Sequence, residues 1–228
     1  MSYKRKFIEF MVRSGVLTFG EFTTKSGRET PYFINTGNYK TGLQIAQLGE
    51  FYGNCIIENM NNGNIKKDIA ALFGPAYKGI PISVATTIAL ATKFNKNINY
   101  CFNRKEAKDH GEGGSMVGYP LQDGDSILVV EDVITAGTAI RECLPILKAA
   151  AEVTIEGLIV SVDRMEKGQS NVTAIQEIEE EFGIKTYHIV TVRDIIEHLH
   201  NVKTEGKIII DDAIIIRMEN YIKAYCVE

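Results

Sequence analysis

Ile127-Leu-Val-Val-Glu-Asp-Val-Ile-Thr-Ala-Gly-Thr-Ala-Ile-Arg-Glu142 opens on an apolar run, Ile127 to Val130, with the composition of a strand buried in a parallel sheet. Glu131 and Asp132 follow at once. A turn of small and hydroxylated residues, Thr135 to Thr138, then leads into a helix-like stretch from Ala139. A strand, an acidic pair and a small-residue turn into a helix start make a site for a phosphorylated sugar. The first N–H groups of a helix lack intrahelical partners and attract phosphate. Gly137 lets the backbone approach closely. Thr135 and Thr138 can donate hydroxyl hydrogen bonds to phosphate oxygens. The carboxylates can accept from ribose hydroxyls and hold a hydrated Mg²⁺. A strand ending in a capped helix, with Asp132 merely solvated, is the plainer reading. No Gly-x-x-x-x-Gly-Lys-Ser/Thr loop occurs, and no Gly-x-Gly-x-x-Gly follows a strand.

Working outward, apolar periodicity predicts strands at Ile69–Phe73, Ile98–Asn103, Ile127–Val130, Val153–Val162 and Thr186–Val190. Helices are expected at Leu43–Asn59, Ile80–Phe94, Ala139–Ala150, Asn171–Phe182, Val192–Leu199 and Asp211–Tyr225. Val172, Ile175, Ile178 and Phe182 share one face of the fourth of these. Such alternation argues for an α/β fold, a mostly parallel sheet flanked by helices. Ahead of it, a helix at Tyr3–Arg13 and extended runs at Leu17–Lys25 and Pro31–Asn35 form a small antiparallel or irregular section. The expected organisation is a single domain over residues 1–228, with residues 1–42 as an N-terminal hood. Ligands of such sheets sit beyond the strands' carboxyl ends, here after Phe73, Asn103, Val130 and Val162.

Those loops carry suitable side chains. Gly74-Pro-Ala-Tyr-Lys-Gly79 reads as a pyrophosphate loop of backbone N–H groups plus Lys78; an ordinary strand-to-helix turn is the alternative. Arg104-Lys-Glu-Ala-Lys-Asp-His-Gly-Glu-Gly-Gly114 reads as a loop of balanced charge. It is either a solvated surface loop or a mobile lid whose cations meet a leaving pyrophosphate, with His110 donating to it. Arg164 follows a strand and can grip a carboxylate with both prongs, or serve a cap or surface ion pair. Lys25-Ser-Gly-Arg-Glu-Thr-Pro-Tyr-Phe-Ile-Asn35 can wall a planar ring and reach an anion, but taken alone it is better read as a strand–turn–strand.

The bulk numbers restrict the class. The chain has 228 residues, 45% of them hydrophobic, and a formal net charge of −4. It carries no general nucleic-acid surface. No apolar run is long enough to cross a membrane, and the N-terminus has no signal-like apolar core. Cys55, Cys101, Cys143 and Cys226 lie far apart among apolar neighbours and read as reduced thiols of a cytoplasmic protein.

Taken together and in this order, these segments resemble the orotate phosphoribosyltransferases of the type I phosphoribosyltransferase group, from Phe19 to about Arg193. The resemblance implies transfer of a phosphoribosyl group from 5-phospho-α-D-ribose 1-diphosphate to orotate, in pyrimidine synthesis. It implies that Lys25, Tyr77, Lys78, Arg104, Lys105, Lys108 and His110 contact the sugar diphosphate. The run Glu131, Asp132, Val133, Ile134, Thr135, Ala136, Gly137, Thr138 and Ala139 would hold the ribose and its 5′-phosphate. Phe33, Ile34, Thr135 and Arg164 would bind orotate, and Lys105, Lys108, His110 and Asp132 would serve catalysis. Mg²⁺ is implied near Glu131 and Asp132, held mainly by substrate and water. A homodimer with shared sites is implied too, with Lys105 reaching across. The chain departs from the family at Glu131, where many members have Asp, and at Ile34, where an aromatic is frequent. A purine phosphoribosyltransferase would share the sugar-phosphate run but has no use for Arg164 as a carboxylate grip. A diphosphokinase would need an ATP-binding segment. A non-catalytic regulator would keep the phosphate loop but often lack the lid cations.

Overall fold

The computed structural model describes residues 2–24, 27–108, 114–134, 137–168 and 171–227, and leaves aside the side chains of residues 107, 108 and 114. The chain opens with helix α1 (Tyr3–Arg13), which buries Phe7, Ile8, Phe10 and Met11 on its periodic face. Strands β1 (Leu17–Thr23) and β2 (Glu29–Ile34) pair antiparallel, so the expected N-terminal section is a hairpin. Helix α2 (Gly42–Asn61) starts at Thr41, which exchanges side-chain and backbone hydrogen bonds with Gln44 in a capping box.

The expected alternation then follows: β3 (Ala71–Gly74), α3 (Gly79–Phe94), β4 (Asn99–Lys108), β5 (Gly114–Gly118), β6 (Ser126–Val130), α4 (Thr138–Ala150), β7 (Thr154–Asp163), α5 (Ala174–Phe182), β8 (Thr186–Thr191) and α6 (Val192–Leu199). A two-residue-per-strand hairpin, β9 (Lys203–Thr204) and β10 (Lys207–Ile208), precedes α7 (Asp212–Tyr225). Asp211 caps α7 by accepting from the N–H groups of Ala213 and Ile214.

The main sheet has six strands in the order β5-β4-β3-β6-β7-β8, all parallel except the β4–β5 pair. The apolar run of β6 is continuous because both faces are covered. Leu128 and Val130 join one core with α1, α2, α6 and α7, whereas Ile127 and Val129 join a second core with α4 and α5. The chain leaves β3 toward β4 and returns to the other side of β3 as β6. The strand order therefore reverses between β3 and β6, and a crevice opens there.

Two expectations need correction. The charged segment after Asn103 is not a loop throughout: β4 continues to Lys108, and β5 returns antiparallel, with Asn103 opposite Met116 and Lys108 opposite Gly114. Arg104, Lys105 and Lys108 therefore stand on a strand of an edge hairpin. The pairs Asn103–Met116 and Lys108–Gly114 bracket that stretch, and the register is irregular between them. The helix expected from Asn171 begins only at Ala174, because Thr173 and Gln176 form its capping box; Val172 lies before it.

Candidate active site

The crevice between β3 and β6 contains a cavity of about 280 Å³. Pro75, Ala76, Tyr77 and Lys78 line it from the loop after β3. Glu131, Asp132, Val133 and Ile134 line it from the end of β6, and Gly137, Thr138 and Ala139 from the start of α4. The helix start borders this space, and the first N–H groups of a helix have no intrahelical partner. Gly137 sits at φ 67, and a Cβ there would lie 2.9 Å from the Ile178 side chain. Glycine thus answers both the backbone conformation and the packing.

The acidic pair is clamped through its main chain. The Glu131 N–H donates to the Ile159 carbonyl at 3.0 Å, and the Tyr52 hydroxyl donates to the Glu131 carbonyl at 2.6 Å. The Asp132 carbonyl accepts from the Ser161 N–H at 2.9 Å and from the Ser161 hydroxyl at 2.6 Å. On the side-chain level, Lys78 Nζ and the Thr36 hydroxyl each donate to Asp132 Oδ2 at 2.7 Å. Burial alone would raise the Asp132 pKa; the hydrogen bonds from Lys78 and Thr36 and the Lys78 charge overcome it and hold that carboxyl below its ordinary value. Glu131 goes the other way. Burial, reinforced by the neighbouring Asp132 charge, pushes it up to about 8. The two neighbouring carboxyls are thus pushed in opposite directions, Glu131 toward its protonated form and Asp132 toward its ionised form.

The loop after β3 is also built by contact. The Ala76 N–H donates to the buried Asn103 side chain at 2.9 Å, tying the loop to β4. The Ala76–Tyr77 peptide is cis. A Cβ on Gly74 would fall 2.2 Å from the Gly79 carbonyl oxygen, so the two ends of the loop touch backbone to backbone. Lys105 reaches back from β4, its Nζ 5.7 Å from the centre of the exposed Tyr77 ring. Arg104 and Lys105 line a smaller hollow of about 130 Å³ that shares Pro75, Ala76 and Ala139 with the main cavity.

The residues expected at a base lie to one side of that cavity rather than among its lining. Arg164 follows β7 and is nearly buried, its guanidinium carbon 4.7 Å from the centre of the Tyr32 ring. Phe33 is 42% exposed and stacks on Phe22 with ring centres 5.6 Å apart. Ile34 is half-buried against the main core. Thr36, just beyond β2, joins this hairpin to Asp132. Lys25, His110, Thr135 and Ala136 lie outside the described residues, as does the Lys108 side chain.

Sequence reasoning missed Thr36, Tyr52, Asn103 and Ser161, which position the acids and the loop, and Glu166, which meets Arg164. Each contacts a residue that is distant in sequence or is set by loop geometry. Only the strand-end position of Ser161 and Asn103 offered a signal.

A phosphoribosyl transferase domain model matches residues 36–188. An orotate phosphoribosyltransferase of Clostridium beijerinckii is 54% identical over 224 residues, covering 98% of each chain. The chain belongs to the orotate phosphoribosyltransferase family. A crystal structure of a Francisella tularensis orotate phosphoribosyltransferase superimposes with a TM-score of 0.81 at 36% identity, covering 97% of this chain and 99% of that one. The Mycobacterium tuberculosis orotate phosphoribosyltransferase, solved with 5-phospho-α-D-ribosyl 1-diphosphate, shares the fold at a TM-score of 0.56 and 17% identity, covering 86% of this chain and 93% of that one. As an orotate phosphoribosyltransferase family member the chain is a pentosyltransferase. In open α/β sheets, ligands bind at such a reversal of strand order.

Proposed function

We propose that this chain transfers the phosphoribosyl group of 5-phospho-α-D-ribose 1-diphosphate to orotate, giving orotidine 5′-monophosphate and pyrophosphate. The observation that carries the reading is the meeting of Lys78, Asp132 and the α4 N-terminus around one cavity, in a chain alike over its full length to orotate phosphoribosyltransferases. In this reading the α4 N-terminus and Thr138 hold the 5′-phosphate, with Thr135 beside them. Asp132 and Glu131 face the ribose. Lys25, Tyr77, Lys78, Arg104, Lys105, Lys108 and His110 surround the diphosphate. Orotate lies toward Arg164, Phe33 and Ile34 under the hood of residues 1–42.

A ring nitrogen of orotate bonds to the anomeric carbon as the carbon–oxygen bond to diphosphate breaks. The bonding pair leaves on pyrophosphate, and the nitrogen's proton passes to pyrophosphate or water. No protein nucleophile is required. Lys78 and the β4 cations stabilise charge growing on the leaving group, and the ionised Asp132 stabilises positive charge growing on the ribose. Among the described residues no cluster of His, Cys, Asp and Glu is sufficient to cage a metal. Two adjacent carboxylates fit Mg²⁺ held mainly by substrate oxygens and water. When bound, Mg²⁺ supplies further neutralisation of the diphosphate.

We also read the protein as a cytoplasmic homodimer in which Lys105 acts in the partner's site. The buried, unpaired thiols of Cys55, Cys101, Cys143 and Cys226 suit a reducing compartment. Among the described residues no helix is long and apolar enough to cross a membrane.

Pyrophosphate release after mixing protein, sugar diphosphate, Mg²⁺ and orotate tests the reading. Release should require orotate, and Asp132→Asn should lower kcat/KM by about 10² or more, as for loss of an electrostatic contact to the transition state. Binding of the sugar diphosphate with no release would make the chain a regulator instead.

A further inference from the structure

Arg164 does not stand alone. Its Nε and Nη2 both donate to Glu166 Oε1, at 2.9 and 2.6 Å. The same oxygen accepts from the Tyr221 hydroxyl of α7 at 2.6 Å. Arg28 approaches Glu166 Oε2 at 3.7 Å, and Tyr221 meets the Tyr32 ring edge-on at 5.9 Å. Glu166 is itself fixed by backbone. It bridges to Cys226, the Lys167 N–H donates to the Tyr225 carbonyl, and the Val227 N–H donates to the Met165 carbonyl, both at 2.9 Å. The end of α7 thus staples the loop that carries Arg164.

This arrangement occupies one edge of the guanidinium. Among the described residues nothing accepts from Nη1, so the Nη1/Nη2 edge keeps its donors in the fork geometry that suits a carboxylate. Resting on the reading that Arg164 grips orotate, we propose that Glu166 and Tyr221 are positioning residues for the substrate carboxylate: they hold Arg164 by its Nε/Nη2 edge and turn the other edge to the base. Burial and the Glu166 contact push the Tyr221 pKa up to about 12, so its hydroxyl remains a donor at working pH. Helix α7, which carries no residue that touches substrate in the reading above, then belongs to base recognition.

Steady-state kinetics of Glu166→Gln, Tyr221→Phe and Arg164→Ala decide it, with uracil as a competing base that lacks the carboxylate. Tyr221→Phe removes only a hydroxyl and keeps the ring packing. Both positioning variants should raise the KM for orotate about tenfold, the worth of one hydrogen bond to a charged group. The kcat, the KM for the sugar diphosphate and the inhibition constant of uracil should stay unchanged. If Arg164→Ala raises the orotate KM while Glu166→Gln and Tyr221→Phe do not, positioning is overturned and the Arg164 reading stands. If Arg164→Ala leaves the orotate KM unchanged, the reading of Arg164 and the proposal both fall. Equal losses for orotate and uracil would reduce Glu166 and Tyr221 to structural supports and overturn the proposal.

Discussion

The acidic pair shows how neighbours in sequence acquire opposite properties. Glu131 and Asp132 share a strand end, yet only Asp132 faces Lys78 and Thr36. Sequence reading picked out both acids and Lys78, which line one cavity, because they follow strand ends. It could not recover Thr36, which reaches Asp132 from 96 residues away. The titration has a measurable consequence. Glu131 in the folded chain holds its proton up to about 8, against an ordinary 4.5. The native state therefore binds more protons than the unfolded state across that window, and stability should fall as pH rises through it. Asp132 acts with the opposite sign and only in acid, below its ordinary 3.8. Urea unfolding from pH 5 to 9 should show the decline in the parent chain and a flatter profile in Glu131→Gln. Equal slopes would mean that Glu131 is ionised throughout.

At the scale of elements, the central strands β3, β6 and β7 were legible because each carries a buried apolar run. The edge hairpin was not. Arg104 to Lys108 has neither apolar run nor alternation, and it spans an irregularity in register between the Asn103–Met116 and Lys108–Gly114 pairs, which the partner strand sets. The start of α5 was misplaced for a local reason, the Thr173–Gln176 cap. The loop after β3 was legible from its glycines, and their reason is now geometric. Gly74→Ala would drive a Cβ into the Gly79 carbonyl, so the loop must shift. Stability should drop by about 1–3 kcal/mol, as for other overpacked sites, and the KM for the sugar diphosphate should rise. Gly42→Ala, at a helix start where a Cβ meets nothing within 4 Å, is the control and should leave both unchanged. A Gly74→Ala enzyme with parent stability and KM would show that the contact relaxes without cost.

At the scale of the molecule, the reversal of strand order between β3 and β6 gathers loops distant in sequence into one crevice. The hairpin β1–β2 and helix α7 close the side where Arg164 lies. Sequence alone left α7 without a role, since its decisive contact is the Tyr221 hydroxyl on Glu166, across 55 residues. The proposed dimer is testable by mixing subunits. Lys105→Ala and Asp132→Asn homodimers should each be nearly inactive. Heterodimers co-refolded from both should regain activity at one of their sites, where an intact Asp132 meets an intact Lys105 from the partner. No recovery would place Lys105 in its own subunit's site, beside its own Tyr77 ring.

The crevice should join a phosphoribosyl group to orotate and not to another base. The most direct measurement follows base consumption with the sugar diphosphate and Mg²⁺, comparing orotate with uracil, adenine and hypoxanthine under identical conditions. Orotate alone should be turned over, and Arg164→Ala should raise its KM. Turnover of adenine or hypoxanthine in preference to orotate would contradict it.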